Sequence, residues 1–348
     1  MIRKSTINLR YANKGKLEIL KNINSEYVRV VNLFIDKRWK QKQFKGIFTK
    51  DTMVDSWLSS RMKQAAAKQA LSIVKSQRRK KNKHKPVLTK SVIEFDSRFV
   101  KIEQDVNSFD IWIKLSSIGK KIILNIPSRK HYHFNKLLKE GWTIKKSLRL
   151  RINEKGCFVD IYFTKDAPVL KTIGKAKAVD IGYKKLIVSS DGEFIGNYAI
   201  YEKIACKKQG SKAFKRALTE RDEIINKSCK SINLNNTNIL YAEDLKNVKH
   251  KSKGSIRKKF NNKLQRWSYP KVLNKFAMLC EEKGIAFKKV PPQYTSQRCS
   301  KCGVIRKLNR KGETYKCACG LFIDADYNAA MNILLIGEYG LDALQPIP

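Results

Sequence analysis

The chain has 348 residues, which is long enough for two or three domains with cores of their own. It carries 74 lysines and arginines against 30 aspartates and glutamates, a formal net charge of +44 at pH 7. So large a charge opposes a compact state unless a polyanion neutralises it, and it is spread along the chain rather than gathered on one amphipathic helix. We therefore expect nucleic acid as the partner and no membrane association.

Other global features narrow the class further. The hydrophobic content of 42% argues against wholesale disorder. The N-terminus, MIRKSTINLRYANKGK, has no apolar leader, and no apolar run approaches the ~18 residues of a membrane span. The eight cysteines are then expected to be thiols and metal ligands rather than a disulfide framework. These features predict a soluble, cytoplasmic protein.

The N-terminal segment predicts one strand and two helices. Residues 2–11 alternate as a strand does, whereas apolar residues recur every three or four positions over 17–39 and 53–76. The second helix ends in a basic segment at 75–85, where seven of eleven residues are Lys or Arg. We expect that segment to contact phosphates, with a solvated basic face or linker as the alternative. Four aromatic residues here either stack on bases or pack the helices: Tyr11, Tyr27, Trp39 and Trp57.

Two further textures follow along the chain. Short alternating runs over 91–166 predict antiparallel strands in a small barrel or sandwich, which the first strand could join so that the helices become an insertion. From Lys175 onwards strands alternate with helices: AKAVDIG, a hairpin at Asp191-Gly192, a helix over 211–232, NILYAEDL, a helix over 262–283 and IAFKKV. This last part is predicted to be α/β.

Three carboxylates lie at the ends of the predicted α/β elements. Asp180 ends the first strand, Glu243 ends a later strand, and Asp326 lies at the start of a C-terminal helix. Acids on such elements can form a cage for two magnesium ions roughly 3.5–4 Å apart, which activate water and stabilise the leaving oxygen of a phosphodiester. That arrangement is typical of RNase H-like nucleases.

Each acid also has a purely structural interpretation. Asp180 could start a turn, and Glu243 or the adjacent Asp244 could cap the next turn. Asp324 and Asp326 both suit a helix N-terminus, where an acid complements the helix dipole. Asp324 is interpreted in that way, and Asp191 is interpreted as a turn residue.

Four cysteines have the spacing of metal ligands. Cys299 and Cys302 form one pair, and Cys317 and Cys319 form a second whose single-residue spacer is tighter than the usual two. Four thiolates at about 2.3 Å suit a closed, structural zinc site, with four reduced thiols as the alternative. Such a ribbon would brace the chain directly before Asp326. The remaining cysteines are expected in the core or on the surface: Cys157, Cys206, Cys229 and Cys280.

Several segments resemble the RuvC domain of transposon-encoded TnpB proteins, the compact relatives of type V CRISPR effectors. They are VDIGYKKLIVSSDG, ILYAEDLKNV, RWSYPKVLNKFAMLCEEKGIAFKKVPPQYTSQRCSKCG and CGLFIDADYNAAMNIL, within about 175–337. The resemblance implies an RNA-guided DNA endonuclease with catalytic magnesium on Asp180, Glu243 and Asp326, and zinc on the four cysteines. It also implies a guide RNA transcribed from the transposon end, and a short motif beside the target DNA that the protein reads.

The resemblance implies a domain plan as well. An N-terminal wedge-like β-barrel carries an inserted helical recognition domain, and an RNase H-like (RuvC) nuclease domain carries the zinc ribbon. The expected boundaries are 1–15 for the first wedge strand, 16–85 for the helical insertion, 86–172 for the wedge, 173–298 for RuvC, 299–320 for the ribbon, and 321–348 for the last RuvC helix and tail.

A guided nuclease needs a long cationic channel for its RNA and a ~20-bp heteroduplex, which accounts for the charge without a base-reading motif. The expected backbone contacts are Arg78, Arg79, Lys80, Lys81, Lys83, Lys207, Lys208, Lys212, Lys215, Arg216, Arg257, Lys258 and Lys259.

Two other functions remain open at this level. One is a guided DNA-binding repressor that has lost cleavage, and the other is a stand-alone junction resolvase or RNase H enzyme. The preferred interpretation expects guide RNA and target double-stranded DNA as partners, a monomer or weak dimer, and a cytoplasmic location in a prokaryotic cell, with the protein on the nucleoid when it is bound to DNA.

Overall fold

The computed structural model describes residues 1–42, 53–196, 199–246 and 264–341. The chain divides into two compact units, Met1–Asp166 and Ala167–Pro348, each with its own hydrophobic core. Among the helices in the described ranges, none combines the length and apolar character needed to cross a bilayer.

The first unit is built from antiparallel strands and three helices. In chain order its elements are β1 (Ile2–Asn8), α1 (Lys14–Lys40), α2 (Ser60–Arg78), β2 (Val92–Phe95), β3 (Val100–Gln104), β4 (Ile111–Leu115), β5 (Leu124–Ser128), α3 (Tyr132–Lys139), β6 (Thr143–Asn153) and β7 (Gly156–Thr164). One sheet has the order β1-β7-β6-β2 and the other the order β3-β4-β5.

The first strand joins the later sheet, so α1 and α2 are an insertion between β1 and β2. Ile2 of β1 pairs with Thr164 of β7, and the antiparallel register continues to Asn8. Apolar residues of both sheets and of α1 and α2 share one core cluster. The antiparallel strands are as predicted, whereas their closure into a barrel stays a prediction because the hydrogen bonds group them in two sheets.

Two helices of this unit differ from the sequence prediction. The helix expected over 53–76 begins only at Ser60, because Ser59 is its N-cap and accepts a hydrogen bond from the backbone N–H of Met62. Helix α3 was not predicted, although Phe134 and Leu137 three positions apart form its buried face.

The second unit contains a five-stranded mixed sheet with helices on both faces. In chain order its elements are β8 (Lys175–Asp180), β9 (Ile187–Ser189), β10 (Phe194–Ile195), α4 (Ala199–Ala205), α5 (Lys212–Ser231), β11 (Thr237–Glu243), α6 (Tyr269–Lys283), β12 (Ala286–Val290), β13 (Arg310–Lys311), β14 (Thr314–Lys316), β15 (Phe322–Asp324) and α7 (Ala325–Tyr339). The sheet order is β10-β9-β8-β11-β12, in which β8, β11 and β12 are parallel.

The predicted α/β texture is therefore present, with one boundary moved. The helix expected over 262–283 is represented by α6, which begins at Tyr269 because Pro270 suits the first turn of a helix, where no backbone N–H is needed. The short strands β13, β14 and β15 form a separate antiparallel sheet, the cysteine ribbon, that leads directly into α7.

Alternation along the central strands decides which side chains face which helices. Val179, Leu240 and Ala242 belong to the core cluster that includes α5 and α6, whereas Ala178 and Tyr241 pack with Ile333 and Ile336 of α7. Successive side chains on a strand point to opposite faces, so the residue after Val179 and the residue after Ala242 face α7 again. Those two residues are Asp180 and Glu243.

Candidate active site and metal centre

The acids of the two central strands lie side by side at one edge of the sheet. Strands β8 and β11 are parallel, and Val179 is the register partner of Ala242, so Asp180 and Glu243 follow as neighbours at the carboxyl ends. Both face the side of the sheet that α7 covers. Their convergence comes directly from the strand register.

Helix α7 brings the third acid to the same place. Its N-cap is Asp324, whose carboxylate accepts hydrogen bonds from the backbone N–H groups of Asp326 and Tyr327, each at 3.0 Å. The capping role expected for Asp324 is therefore confirmed. Asp326 lies in the first turn and is 7% exposed.

The three acids interact electrostatically. Burial raises the pKa of Asp180 well above its usual range, and the negative charges of Glu243 and Asp326 raise that pKa further. Burial also raises the pKa of Glu243, which a hydrogen bond from Thr295 and the positive charge of Arg310 draw back down. The acids thus form a self-repelling cluster that a divalent cation would relieve.

A cation of the protein itself lies within this cluster. The Arg310 guanidinium donates a hydrogen bond of 2.7 Å to Oδ1 of Asp326, and its charge lowers the pKa of Asp180 and of Glu243. Among the described residues, the ligand atoms of the four cysteines all lie within 4.8 Å of one another. The three carboxylates are not all within that distance of one another. The carboxylate oxygens of the three acids are therefore more widely spaced than the four thiols, and Arg310 bonds to one of these acids, Asp326.

The loop before the ribbon positions the second acid. The Thr295 hydroxyl donates to Oε1 of Glu243, and Thr295 itself is 3% exposed. One carboxylate oxygen of Glu243 is thus held by a neutral donor. The chemistry of this set, three carboxylates at one sheet edge, fits a hard divalent cation such as magnesium.

The four predicted zinc ligands come together in the ribbon. The Sγ atoms of Cys299 and Cys319 are 3.7 Å apart and those of Cys302 and Cys317 are 3.6 Å apart. A tetrahedral site with bonds of about 2.3 Å needs sulfur–sulfur edges of about 3.8 Å. The single-residue spacer therefore does not prevent convergence, and the cluster suggests a structural zinc site.

Two glycines allow the cysteine turns. Gly303 follows the first cysteine pair with φ 79°, and Gly320 follows the second pair with φ 86°. Their backbone N–H groups donate to the carbonyl oxygens of Cys299 and Cys317, at 3.0 and 3.1 Å. A side chain at either position would strain this left-handed backbone.

Buried asparagines join α7 to residues 295–300, the segment before the ribbon strands, which we call the ribbon neck. Nδ2 of Asn332 donates to the carbonyl oxygens of Thr295 and Arg298 at 2.9 and 2.7 Å, and Nδ2 of Asn328 donates to Arg298 at 2.8 Å. Oδ1 of Asn328 accepts from the backbone N–H of Ser300 at 3.0 Å, and both asparagines are fully buried. Because α7 carries Asp326 and the neck carries Thr295, these bonds fix two parts of the acidic cluster relative to each other.

One of the predicted nucleic-acid contacts, Arg78, also bonds to the protein's own backbone. The Arg78 guanidinium donates to the carbonyl oxygens of Trp39 and Gln41, at 2.8 and 2.6 Å, and lies over the Trp39 ring at 5.5 Å. It therefore satisfies carbonyl groups at the C-terminal end of α1.

The other predicted nucleic-acid contacts in the described ranges are exposed, as phosphate contacts require. They are Arg79, Lys80, Lys81, Lys83, Lys207, Lys208, Lys212, Lys215 and Arg216. The remaining three candidates, Arg257, Lys258 and Lys259, lie outside the described residues.

Of the four other cysteines, Cys157, Cys229 and Cys280 are buried and Cys206 is exposed.

Several residues of this site were missed in the sequence. Thr295 and Arg310 gave no periodic signal, since each acts on an acid distant in the chain. Asn328 and Asn332 did leave a trace, because two amides four positions apart in an apolar helix predict one polar stripe that needs buried partners.

Comparison with known proteins gives matches to a family model, to curated relatives and to solved structures. The family model described as the Cas12f1-like TNB domain matches residues 269–333. A CRISPR-associated endodeoxyribonuclease Cas12f1 of Sulfoacidibacillus thermotolerans is 45% identical over 98 residues, which are 28% of this chain and 21% of that protein. A TnpB-like protein of Aquifex aeolicus strain VF5 is 34% identical over 98 residues, 27% of this chain and 31% of that protein. The chain thus matches a fifth to a third of the length of these two curated relatives.

The fold has a solved counterpart. A chain in the cryo-EM structure of a Cas12f1–sgRNA–target DNA complex superimposes with a TM-score of 0.58 at 15% identity, over 92% of this chain and 83% of that chain. At this identity the likeness concerns the fold. The sequence matches and the shared fold confirm the resemblance of this chain to TnpB-like proteins and to the compact type V effector Cas12f1.

Proposed function

We propose that the chain is an RNA-guided, metal-dependent DNA endonuclease. The observation that carries this proposal is the convergence of Asp180, Glu243 and Asp326 at one edge of the sheet, next to a four-cysteine ribbon. The Cas12f1 relatives are named endodeoxyribonucleases, and a solved Cas12f1 chain with this fold is in complex with sgRNA and target DNA. We extend that activity and those two partners to this chain.

The three acids would hold magnesium ions. When bound, these ions would supply the positive charge that activates water and stabilises the leaving oxygen of a phosphodiester. Thr295 keeps one oxygen of Glu243 engaged, which limits the rotation of that carboxylate. Arg310 offsets the charge of Asp326 and has to share or yield that oxygen when a metal binds. Zinc on the four cysteines would hold the ribbon at the start of α7.

The first unit would receive the RNA. Its antiparallel strands would form the wedge-like domain and the inserted helices the recognition domain, with target-adjacent sequence read there and the rest delegated to base pairing. The guide would be a transcript of the transposon end. The exposed basic residues of α5 and of the segment after α2 would contact phosphates, so that binding weakens steeply as salt rises.

A cleavage assay with adjacent acids tests this proposal. The full chain is expressed from its gene together with the neighbouring DNA that would encode the guide RNA, and the RNA that co-purifies is sequenced. A plasmid that carries the matching target is then incubated with the complex and magnesium. We expect cleavage of both strands by the wild type, loss of cleavage in Asp180→Ala and Glu243→Gln, and cleavage in Asp244→Asn. Asp244 is the matched control because it follows Glu243 directly.

The outcomes separate the three candidate functions. Normal cutting by Asp180→Ala refutes the assignment of the acids. Target binding without any cleavage by the wild type indicates the guided repressor. A clean preparation that holds no discrete RNA, yet cuts branched DNA or RNA–DNA hybrids, indicates a stand-alone resolvase or RNase H enzyme.

A further inference from the structure

An arginine–aromatic cluster lies in the first unit, whereas the acids and the ribbon belong to the second unit. Three chain segments supply it: the turn between β1 and α1, the hairpin between β3 and β4 with the start of β4, and the residue after β5. Its members are Arg10, Tyr11, Phe109, Trp112 and Arg129, and we name it the arginine–aromatic platform. The ring centroids of Tyr11 and Phe109 are 5.6 Å apart, and those of Phe109 and Trp112 are 5.8 Å apart.

Two guanidinium groups lie against these rings. The Cζ atom of Arg10 is 4.9 Å from the Tyr11 ring centroid, and the same side chain donates to the Tyr11 hydroxyl at 2.9 Å. The Cζ atom of Arg129 is 5.7 Å from the Tyr11 centroid and 5.8 Å from the Phe109 centroid. Both arginines are exposed, and among the described residues no carboxylate forms an ion pair with either. The platform therefore presents two positive charges that have no internal counter-charge.

Neighbouring residues hold the platform in place. The backbone N–H of Lys130 donates to Oδ2 of Asp110 at 2.9 Å, and Nζ of Lys130 donates to Oδ2 of Asp105 at 2.5 Å. The backbone N–H of Asp105 also bonds to the carbonyl oxygen of Asp110 at 3.1 Å. These bonds tie the hairpin that carries Phe109 to the strand end that carries Arg129. Asp105 and Asp110 are thus both engaged with Lys130.

Core packing does not account for the rings. Tyr11, Phe109 and Trp112 are partly buried, and none belongs to the hydrophobic cluster of the unit or to the partly buried residues that pack on it. By contrast, Tyr27 is 2% exposed and belongs to that core, and Trp39 and Trp57 pack on it. Of the four aromatic residues considered for base stacking, Tyr11 is the one that the core does not use.

We propose that the arginine–aromatic platform binds unpaired nucleotides of RNA. Bases stack on aromatic rings and on guanidinium planes, and the two uncompensated charges suit the flanking phosphates. Paired bases are already stacked, so a duplex cannot use such a surface. The loops of a folded RNA offer unstacked bases at fixed positions, which a prebuilt platform can match. The choice of RNA rests on the proposed guided function.

A binding assay with three probes tests the platform. The probes are a fluorescein-labelled 12-mer of uridine, a 12-bp RNA duplex and a 12-mer of thymidine, titrated with the full chain at a salt concentration that suppresses non-specific phosphate contacts. We expect Phe109→Leu and Arg129→Lys each to weaken uridine 12-mer binding about tenfold, which corresponds to ~1.4 kcal/mol, and to leave duplex binding unchanged. Arg129→Lys keeps the charge and removes the guanidinium plane. Arg98→Leu is the control, an exposed arginine that is paired with Asp96.

Each outcome decides. Wild-type affinity of both variants for the uridine 12-mer overturns the platform, and equal losses for the duplex reduce it to a general phosphate contact. Equal losses for the thymidine 12-mer overturn the choice of RNA. If a variant fails to fold, ultraviolet cross-linking of the wild type to the uridine 12-mer replaces it, and cross-linked peptides without Tyr11, Phe109 or Trp112 refute the proposal. The same titrations with Asp180→Ala, which is expected not to cleave, separate RNA binding by the platform from cleavage by the acids.

Discussion

Replacement of Asn332 by leucine should break the connection between α7 and the ribbon neck. Asn332 is fully buried and donates to the carbonyl oxygens of Thr295 and Arg298. Leucine has the same number and branching of heavy atoms, so the change removes the hydrogen bonds and keeps the outline of the side chain, with bulkier methyl groups in place of the amide. It is also a slightly better helix former, which offsets a few tenths of a kcal/mol.

The loss of stability comes from the carbonyl oxygens that Asn332 no longer donates to. The Thr295 carbonyl loses its donor inside the protein, which costs about 1–3 kcal/mol for a buried group. The Arg298 carbonyl keeps its bond from Asn328, so the second loss is smaller, about 1 kcal/mol. We expect the free energy of unfolding of the second unit to fall by about 2–4 kcal/mol. Cleavage should fall as well, because the freed neck carries Thr295, which holds Glu243.

The measurement has to resolve the second unit, since two units can unfold separately. A urea titration followed by hydrogen exchange of peptides from 167–341 meets that need. Asn135→Leu on the exposed side of α3 is the control, and its unfolding free energy should stay within about 0.5 kcal/mol of the wild type. An Asn332→Leu variant as stable as this control would refute the assigned role of the buried amides.

Four further predictions concern the same unit. Removal of zinc should raise deuterium uptake over 295–330 before the rest of the chain, and unchanged uptake after verified metal loss would contradict the ribbon's role. Arg310→Ala should lower the Tm more in EDTA than in magnesium, because the acids lose their internal counter-charge; equal shifts would speak against it. Because the folded-state pKa of Asp180 is raised, this carboxyl stabilises the metal-free protein at low pH and the stabilisation is lost as pH rises through that pKa. The unfolding free energy of the wild type minus that of Asp180→Asn should therefore fall with rising pH, and a rise would be inconsistent. In Gly337→Ala the new Cβ would lie 2.4–2.6 Å from the Tyr241 ring, so we expect a loss of about 1–3 kcal/mol in a denaturant titration, and a stabilised variant would disprove the close packing of α7 on β11.

The three acids could be located from the sequence because simple periodicity places them. Apolar runs that end in Asp180 and Glu243 indicate strands, and parallel strands bring their carboxyl ends to one edge. Asp326 follows a recognisable N-cap, Asp324. The cysteines were equally visible, since zinc-ligand spacing is local in the sequence.

The residues that support these acids could not be found in the same way. Arg310 and Thr295 act on side chains at other places along the chain, and nothing in their own neighbourhood indicates those partners. Charge density did not indicate the structural role of Arg78, because the same residue type that binds phosphate also satisfies the last carbonyl groups of a helix. Helix α3 escaped because eight residues give barely two turns of periodicity.

The shared neck has a consequence for how this protein can change over time. Since Thr295 reaches Glu243 with its hydroxyl and α7 with its carbonyl, a substitution on either side disturbs Glu243 and Asp326 together. In related sequences with the same three acids, we therefore expect Thr295 and Asn332 either to be kept or to be replaced together. Under the proposed function, a related protein that no longer cleaves DNA would be free of both constraints, so loss of the buried amides would accompany loss of an acid.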